Sequence, residues 1–546
     1  MKSVIVAACV FMVCAAASIA GLRAKHHLPL DEWIRIVPDD AFYYFRIAEN
    51  HAGGKGWTFD GRNPTTGFHP VYALLLSSGI SLFGVAHEGI PSLGAVICGV
   101  CLAASSLAAF CLARRHFSAF ASFLVAGLWI ILPYNFETTI SCMESASVLL
   151  GGMALLLLWS WNLELEAGGK DTRWPYITLG AACAASILLR SDMALMLGGM
   201  GLASLPLRKT SCGTQWRAPR TFICIVCGAL AGVLALSLFC RSVTGKWSQD
   251  SGRMKALWAQ RNDLRTREGI ERRARNWQWV TCHMAASPIG VPDWDYDKNQ
   301  SARSLATVVL TIAGVWLIIQ FLRNAGVTTI FGRMAAAAVV HLLTLSMIFG
   351  WALAHPQPRW YFASAQLSYL MLGLAALRWA SDRMSKKRYQ PTRAALALAV
   401  LLIAFLMDAR NSGRKDLFPH QIDFMRAARH IAKVLPPDAR IGAWNAGILS
   451  YYSGREVVNL DGVVNSAIEP FARRGAVSQY VLDEKIGWLA DHESQFMDRY
   501  QTPLFVKTPE ELSSWTSKHL LVMASIPVDN PADYYYSSYL IWQVKP

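Results

Sequence analysis

The sequence predicts a mainly α-helical, polytopic membrane protein that ends in a small α/β domain. Three observations predict it. Hydrophobic residues make up 53% of the 546-residue chain and charged residues only 16%, whereas soluble domains carry about 25% charged residues. Apolar runs recur at close to the roughly 20 residues that a bilayer core of about 30 Å requires, and lipid leaves a spanning backbone few choices besides the helix. From about residue 409 the pattern changes to short alternating runs broken by turn residues.

The elements follow in order. The run at 4–22 comes after Lys2 and ends in small residues, as a cleaved leader would, but it is long for one and further spans follow it. It reads as an uncleaved first span. A polar stretch covers 23–70. The next apolar run, 71–83, is short and bounded by Pro70 and Gly84, so it reads as a helix lying in the interface. Further spans fall near 90–112, 117–133, 145–161, 176–189, 193–207, 221–240, 304–322, 335–354, 361–377 and 393–408, about eleven with the first. With 71–83 not crossing, the basic loops at 114–116, 170–173, 208–220, 323–333 and 378–393 share one side. That side is the cytoplasm, which leaves Met1 inside and Pro546 outside. The formal net charge of +15 would suggest nucleic acid in a soluble protein. Here the same lysines and arginines set topology, and no nucleic-acid partner is expected.

The module at 1–408 thus presents outer loops 23–70, 134–144 and 241–302. The tail at 409–546 forms an extracytoplasmic α/β domain, large enough for its own core. It shows helical periodicity at 422–434, then Pro436-Pro437, β-like runs at 440–444 and 456–460 with Ser453-Gly454 between them, and a terminal alternating run. The 12 cysteines end at Cys282 and mostly sit in apolar runs. Cys224 and Cys227 form a CxxC without a second pair, so they read as small buried hydrophobes rather than metal or redox ligands.

Chemistry concentrates in the outer loops. The first holds Pro38-Asp39-Asp40 before the aromatic run Phe42-Tyr43-Tyr44, then a glycine-rich turn at 53–61 and Thr65-Thr66-Gly67-Phe68-His69-Pro70. Alone, two acids at a helix start are a cap that favours the helix dipole. Together, residues 39–61 and 63–72 resemble the first outer loop of GT-C superfamily glycosyltransferases. These are membrane enzymes such as protein O-mannosyltransferases, aminoarabinose transferases and arabinofuranosyltransferases. The resemblance implies an inverting transfer of sugar from a polyprenyl-phosphate donor to the hydroxyl of a glycan, lipid or protein acceptor, on the outer face of the cytoplasmic membrane. It places an active-site acid at Asp39, with Asp40 beside it. A carboxylate there can take the acceptor's proton.

Further candidates follow, the first and third from the same resemblance and the others from the residues themselves. Glu144 matches the second-loop acid, although Cys142 and Ser145 stand where many members have Gly and Thr; Glu137 is a nearby rival. Asp40 and Glu144 can hold a divalent metal ion or divide base and orienting roles. Lys255 or Arg253, in the stretch 244–255, would neutralise the phosphate leaving group. Arg359 can grip a phosphate with its planar fork, with His355, Tyr361 and His69 as further substrate contacts. Arg190-Ser191-Asp192 reads as a hairpin turn with an internal ion pair, and charges at membrane depth leave a functional role open. Asp461-Gly462 in the tail reads as a turn or as part of a sugar site. A transporter, or a non-catalytic envelope assembly protein, is the competing expectation; repeated halves and midplane polar breaks would mark a transporter.

Overall fold

The computed structural model describes residues 34–169, 172–205, 219–260, 266–287, 309, 312, 329–353, 359–384, 418, 420–493, 502–528 and 538–545. The expected spans at 4–22 and 393–408, and all but two residues of that at 304–322, lie outside the described residues.

Helices dominate the first part of the chain. α1 (Asp39–Ala52) is followed by α2 (Pro70–Phe83), α3 (Ile90–Arg114), α4 (Ala119–Ile131), α5 (Pro133–Ile140), α6 (Ser145–Ala167), α7 (Arg173–Leu189), α8 (Met193–Ser204), α9 (Arg220–Thr244), α10 (Asp250–Gln260), α11 (Arg267–Ala286), α12 (Ile330–Ser346) and α13 (Ala363–Met384). Among the described residues, five helical stretches are long and apolar enough to cross a membrane: His87–Arg114, Ser145–Ala167, Arg220–Thr244, Ile330–Ala352 and Trp360–Arg378. α2 has 14 residues, with Pro70 at its first position and Gly84 left-handed at its end. That is a length of about 21 Å, too short for the bilayer core. Leu74, Leu75, Leu82 and Phe83 remain exposed on it. α4, α7 and α8 occupy the places of three expected spans at 13, 17 and 12 residues.

The tail opens with α14 (Gln421–Val434), then β1 (Arg440–Ala443), α15 (Gly447–Ser453), β2 (Glu456–Asn459), α16 (Glu469–Arg474), α17 (Val477–Asp483) and β3 (Trp488–His492). It closes with α18 (Thr502–Phe505), α19 (Pro509–His519), β4 (Leu520–Pro527) and β5 (Ser538–Val544). The sheet order is β2-β1-β3-β5-β4. β1 runs parallel to both β2 and β3, while β5 pairs antiparallel with β3 and β4. Ser453-Gly454 therefore ends the crossover helix α15 of a parallel βαβ unit, with Gly454 in the left-handed C-cap conformation that glycine favours.

The tail is not a separate bead. One apolar core contains Phe42, Phe45 and Ala48 of α1, Tyr72 and Leu76 of α2, and Ile422, Met425, Ile441, Ile448 and Val457 of the tail. Phe42 packs edge-on against Tyr451 at 5.4 Å between ring centroids. Burying each such side chain contributes about 1.5–3 kcal/mol. α1 is thereby clamped between the membrane helices and the sheet domain, and its first turn faces both.

Candidate active site

Pro38, extended at φ −67°, starts α1 and puts Asp39 and Asp40 in its first turn. Successive helical residues diverge by about 100°, so the two acids part company. Asp39 turns to the tail. Its carboxylate accepts the backbone N–H of Gly447 at 3.1 Å and of Ile448 at 2.6 Å. It thus joins the start of α15 to α1. A Cβ on residue 447 would fall 2.2 Å from the Asp39 carbonyl oxygen, so the approach requires glycine. Burial pushes the Asp39 carboxyl up to about 7, helped by Asp40 and Asp491 and opposed by the two N–H donors.

Asp40 instead borders a cavity of about 200 Å³. α1 also supplies Tyr43 and Tyr44; the loop before α2 supplies Gly67, Phe68 and His69; and the turn before α6 supplies Met143 and Glu144. Lys255 and Trp258 come from α10, Trp360 and Tyr361 from the turn before α13, and Asp461, Val463 and Val464 from the tail. Of the residues expected at the site, Asp40, Glu144, Lys255, His69 and Tyr361 thus share one cavity. Asp39 is not among its lining residues.

The charges here act on one another. Burial pushes the Asp40 carboxyl up to about 6; Glu144 adds to the rise, while Lys255 and a hydrogen bond from the Trp360 side chain oppose it. Burial lowers the Lys255 ammonium to about 8, against the pull of Asp40, Asp461 and Glu144. Burial likewise raises Asp461 to about 7, opposed by its hydrogen bonds to Val463 and Asn459. His69 is depressed to about 3 by burial and by Arg190 and Lys255, so it is neutral. Three groups pushed toward neutrality thus share one cavity, and perturbed groups of this kind cluster at functional sites.

Glu144 is held by Arg190, and His69 lies nearby. The Arg190 guanidinium lies 3.6 Å from its Oε1 and 3.0 Å from the Asp192 carboxylate, and His69 Nε2 lies 3.8 Å from Glu144. The expected hairpin ion pair therefore exists, and it also reaches the cavity's acid. Tyr361 lies between two cations: Lys255 Nζ is 4.2 Å and the Arg190 guanidinium 5.0 Å from its ring centroid. Lys255 also donates to the Tyr361 hydroxyl. Cys142, two residues before Glu144, has φ +54°, a left-handed conformation that favours glycine. The Tyr72 hydroxyl donates to its carbonyl at 2.6 Å and holds the turn in place.

Asp250 at the start of α10 fixes the first loop to the third. It accepts the Thr66 N–H at 2.6 Å and the hydroxyls of Thr65 and Thr66 at 3.1 Å. Gln249 donates to the Phe68 carbonyl at 2.8 Å. His69 and Lys255 are set in place by these bonds. Arg253, expected as a phosphate ligand, is placed elsewhere. It pairs with Asp250 and, at 2.8 Å, with Glu469, and it does not line the cavity. Its i,i+3 spacing from Asp250 turns it into a strut between α10 and the tail. Glu137 lies on α5, away from the cavity lining. His355 and the side chain of Arg359 lie outside the described residues.

Asp40 and Glu144 bring two carboxylates to the cavity, and among the described residues no cluster of three His, Cys, Asp or Glu side chains suits a metal ion. Lys255 and Arg190 stand beside these acids as counter-charges. Asp461 is the cavity residue that sequence reasoning left undecided. Its only signal was the Asp-Gly turn, which the structure contains: Val463 N–H donates to Asp461 Oδ1 at 2.8 Å.

No curated protein matches the chain significantly. One family, described as a domain of unknown function (DUF8728), matches residues 416–539, the tail alone. The apo oligosaccharyltransferase of Archaeoglobus fulgidus superimposes with a TM-score of 0.53 at 12% identity, over 97% of this chain and 74% of that one. The archaeal oligosaccharyltransferase AglB of the same organism, in complex with an inhibitory peptide and a dolichol-phosphate, gives a TM-score of 0.51 at 12% identity over 93% and 72%. At that identity the likeness speaks for architecture, and it spans both the helical module and the tail: the chain shares the fold of these oligosaccharyltransferases.

Proposed function

We propose that the chain is an inverting glycosyltransferase that moves a sugar from a polyprenyl-phosphate donor to an acceptor hydroxyl, with Asp40 as general base. The observation that carries this reading is that Asp40 and Lys255 face one cavity in a GT-C fold. Asp40 takes the acceptor's hydroxyl proton as its oxygen attacks the anomeric carbon. The bond from that carbon to the phosphate oxygen breaks, and the phosphate leaves with the electron pair. Lys255 neutralises the charge that develops there. Attack and departure occur on opposite faces, so the centre inverts without a covalent enzyme intermediate. Glu144, held by Arg190, orients the acceptor beside Asp40. The fold neighbour solved with a dolichol-phosphate supports a lipid-phosphate donor here.

The basic loops support a multi-pass chain in the cytoplasmic membrane, with about eleven spans, Met1 inside, and the cavity and tail on the extracytoplasmic face. A polyprenyl-linked donor and a cell-envelope acceptor are both reachable from that face. The test is transfer from a purified lipid-linked donor pool to an acceptor extract by the Asp40→Asn protein. Asn keeps the shape and removes the proton acceptor. The rate should fall about 100- to 10,000-fold while the melting temperature in detergent holds. Transfer at the parent rate would end the assignment.

A further inference from the structure

Asp461 takes no part in the chemistry above, yet it borders the same cavity from the other domain. Its turn is fully furnished. Val463 N–H donates to Asp461 Oδ1 at 2.8 Å, Gly462 N–H to Asn459 Oδ1 at 3.0 Å, and the Asn465 amide to the Asn459 carbonyl at 3.0 Å. An Asn or Ser would serve such a turn, so a carboxylate is more than the turn needs. The loop is also docked tightly. A Cβ on Gly67 would fall 1.7 Å from the Val463 carbonyl oxygen, and the Ser466 hydroxyl donates to the Pro64 carbonyl at 2.7 Å. Asp461 is thereby fixed relative to Asp40 across the domain boundary, and its charged neighbours in the cavity are Asp40 and Lys255.

We propose that Asp461 is the residue through which the C-terminal domain recognises the donor sugar, its carboxylate accepting hydrogen bonds from ring hydroxyls. The inference rests on the donor reading above. If Lys255 neutralises the phosphate, the sugar ring begins one bridging oxygen away, so its hydroxyls fall within reach of a carboxylate that faces the same ammonium. Asp40 is spent on the attacking hydroxyl. With Glu144 orienting the acceptor, Asp461 is the remaining carboxylate of the cavity, and Trp258 and Tyr43 supply the apolar wall that such pockets combine with a few placed polar groups. A site built to bond a hydroxyl discriminates strongly against a ligand that lacks it.

The experiment offers purified full-length protein in detergent an equimolar mixture of bare undecaprenyl phosphate and lipid-linked sugars extracted from membranes. Retained lipids are read by mass spectrometry. The parent protein should enrich the sugar-bearing species over the bare phosphate. Asp461→Ala should keep its retention of undecaprenyl phosphate and lose at least about tenfold of that enrichment. Asp461→Asn retains an oxygen for the Val463 N–H, so it keeps the turn if Ala unfolds it; it should lose enrichment as well, with an unchanged melting temperature. Unchanged enrichment in a folded Asn or Ala variant would overturn the assignment of Asp461 and leave the donor reading standing. A parent protein that retains neither lipid would overturn both.

Discussion

The two halves of the cavity are held by different physics. On the membrane side, the acids lean on partners far away in sequence: Glu144 on Arg190, and the loop carrying His69 on Asp250 of α10. On the tail side, Asp461 is held by its immediate neighbours, Asn459 and Val463. A buried charge in a long-range network cannot lose a partner without stranding another. A charge in a local turn tolerates replacement, but its place in the cavity depends entirely on how the loop docks. The first half is fragile in its parts and the second in its position.

The sharpest way to break this contrast is Gly67→Ala. The new methyl collides with the Val463 carbonyl and pushes the halves apart without removing any functional group. Since displacement by about 1 Å can cost 100-fold, transfer should fall by about that factor, and the tail should become more open to limited proteolysis. Gly252→Ala, with nothing within 4 Å of its added Cβ, is the matched control and should behave as the parent. Equal rates for the two would mean that the domain contact does not position the site.

The next effect is on pH. Asp40 must be ionised to act as a base, so kcat/KM should fall about tenfold per unit below its value of about 6. Lys255 must be protonated, which sets a second limb near 8. Lys255 lowers the Asp40 carboxyl, so in Lys255→Met the acid limb should move upward and the alkaline limb should vanish. An unchanged profile would remove Lys255 from the cavity's charge balance.

The smallest effect on rate belongs to Asp39→Asn, which should transfer within about fivefold of the parent because its carboxylate serves α15. Its signature is in stability. The folded-state value of about 7 lies above the ordinary 3.8, so the group's contribution is complete below about pH 4 and is lost as pH rises through about 7. Melting curves of the parent should show that decline, and those of the Asn variant should be flatter across the same window. A collapse of transfer would return the base to residue 39.

Much of this was legible in the sequence because charge in an apolar chain is conspicuous. Asp40, Glu144 and Lys255 stand out as acids and a base in polar stretches between apolar runs, and α2 announced its shortness through Pro70 and Gly84. What spacing cannot convey is direction. Asp39 and Asp40 are equal as text and are separated only by the turn of the helix. Arg253 looked like Lys255 until its partners Asp250 and Glu469 were in view. Asp461 was hidden by its ordinariness, since an Asp-Gly turn is common. β3 and β4 were hidden for another reason. β3 is buried along most of its length and β4 runs apolar on an exposed edge, so neither shows the alternation that marks a strand.

The shared core of α1, α2 and the tail has a consequence for recombination. An exchange of C-terminal domains cut near residue 409 would graft a foreign sheet onto the native Phe42 and Phe45, and would meet Asp39 with an unfitted helix start. The workable unit of exchange is discontinuous in sequence. Residues 34–48 have to travel with the tail, so a functional chimera needs three crossovers where the chain's order suggests one.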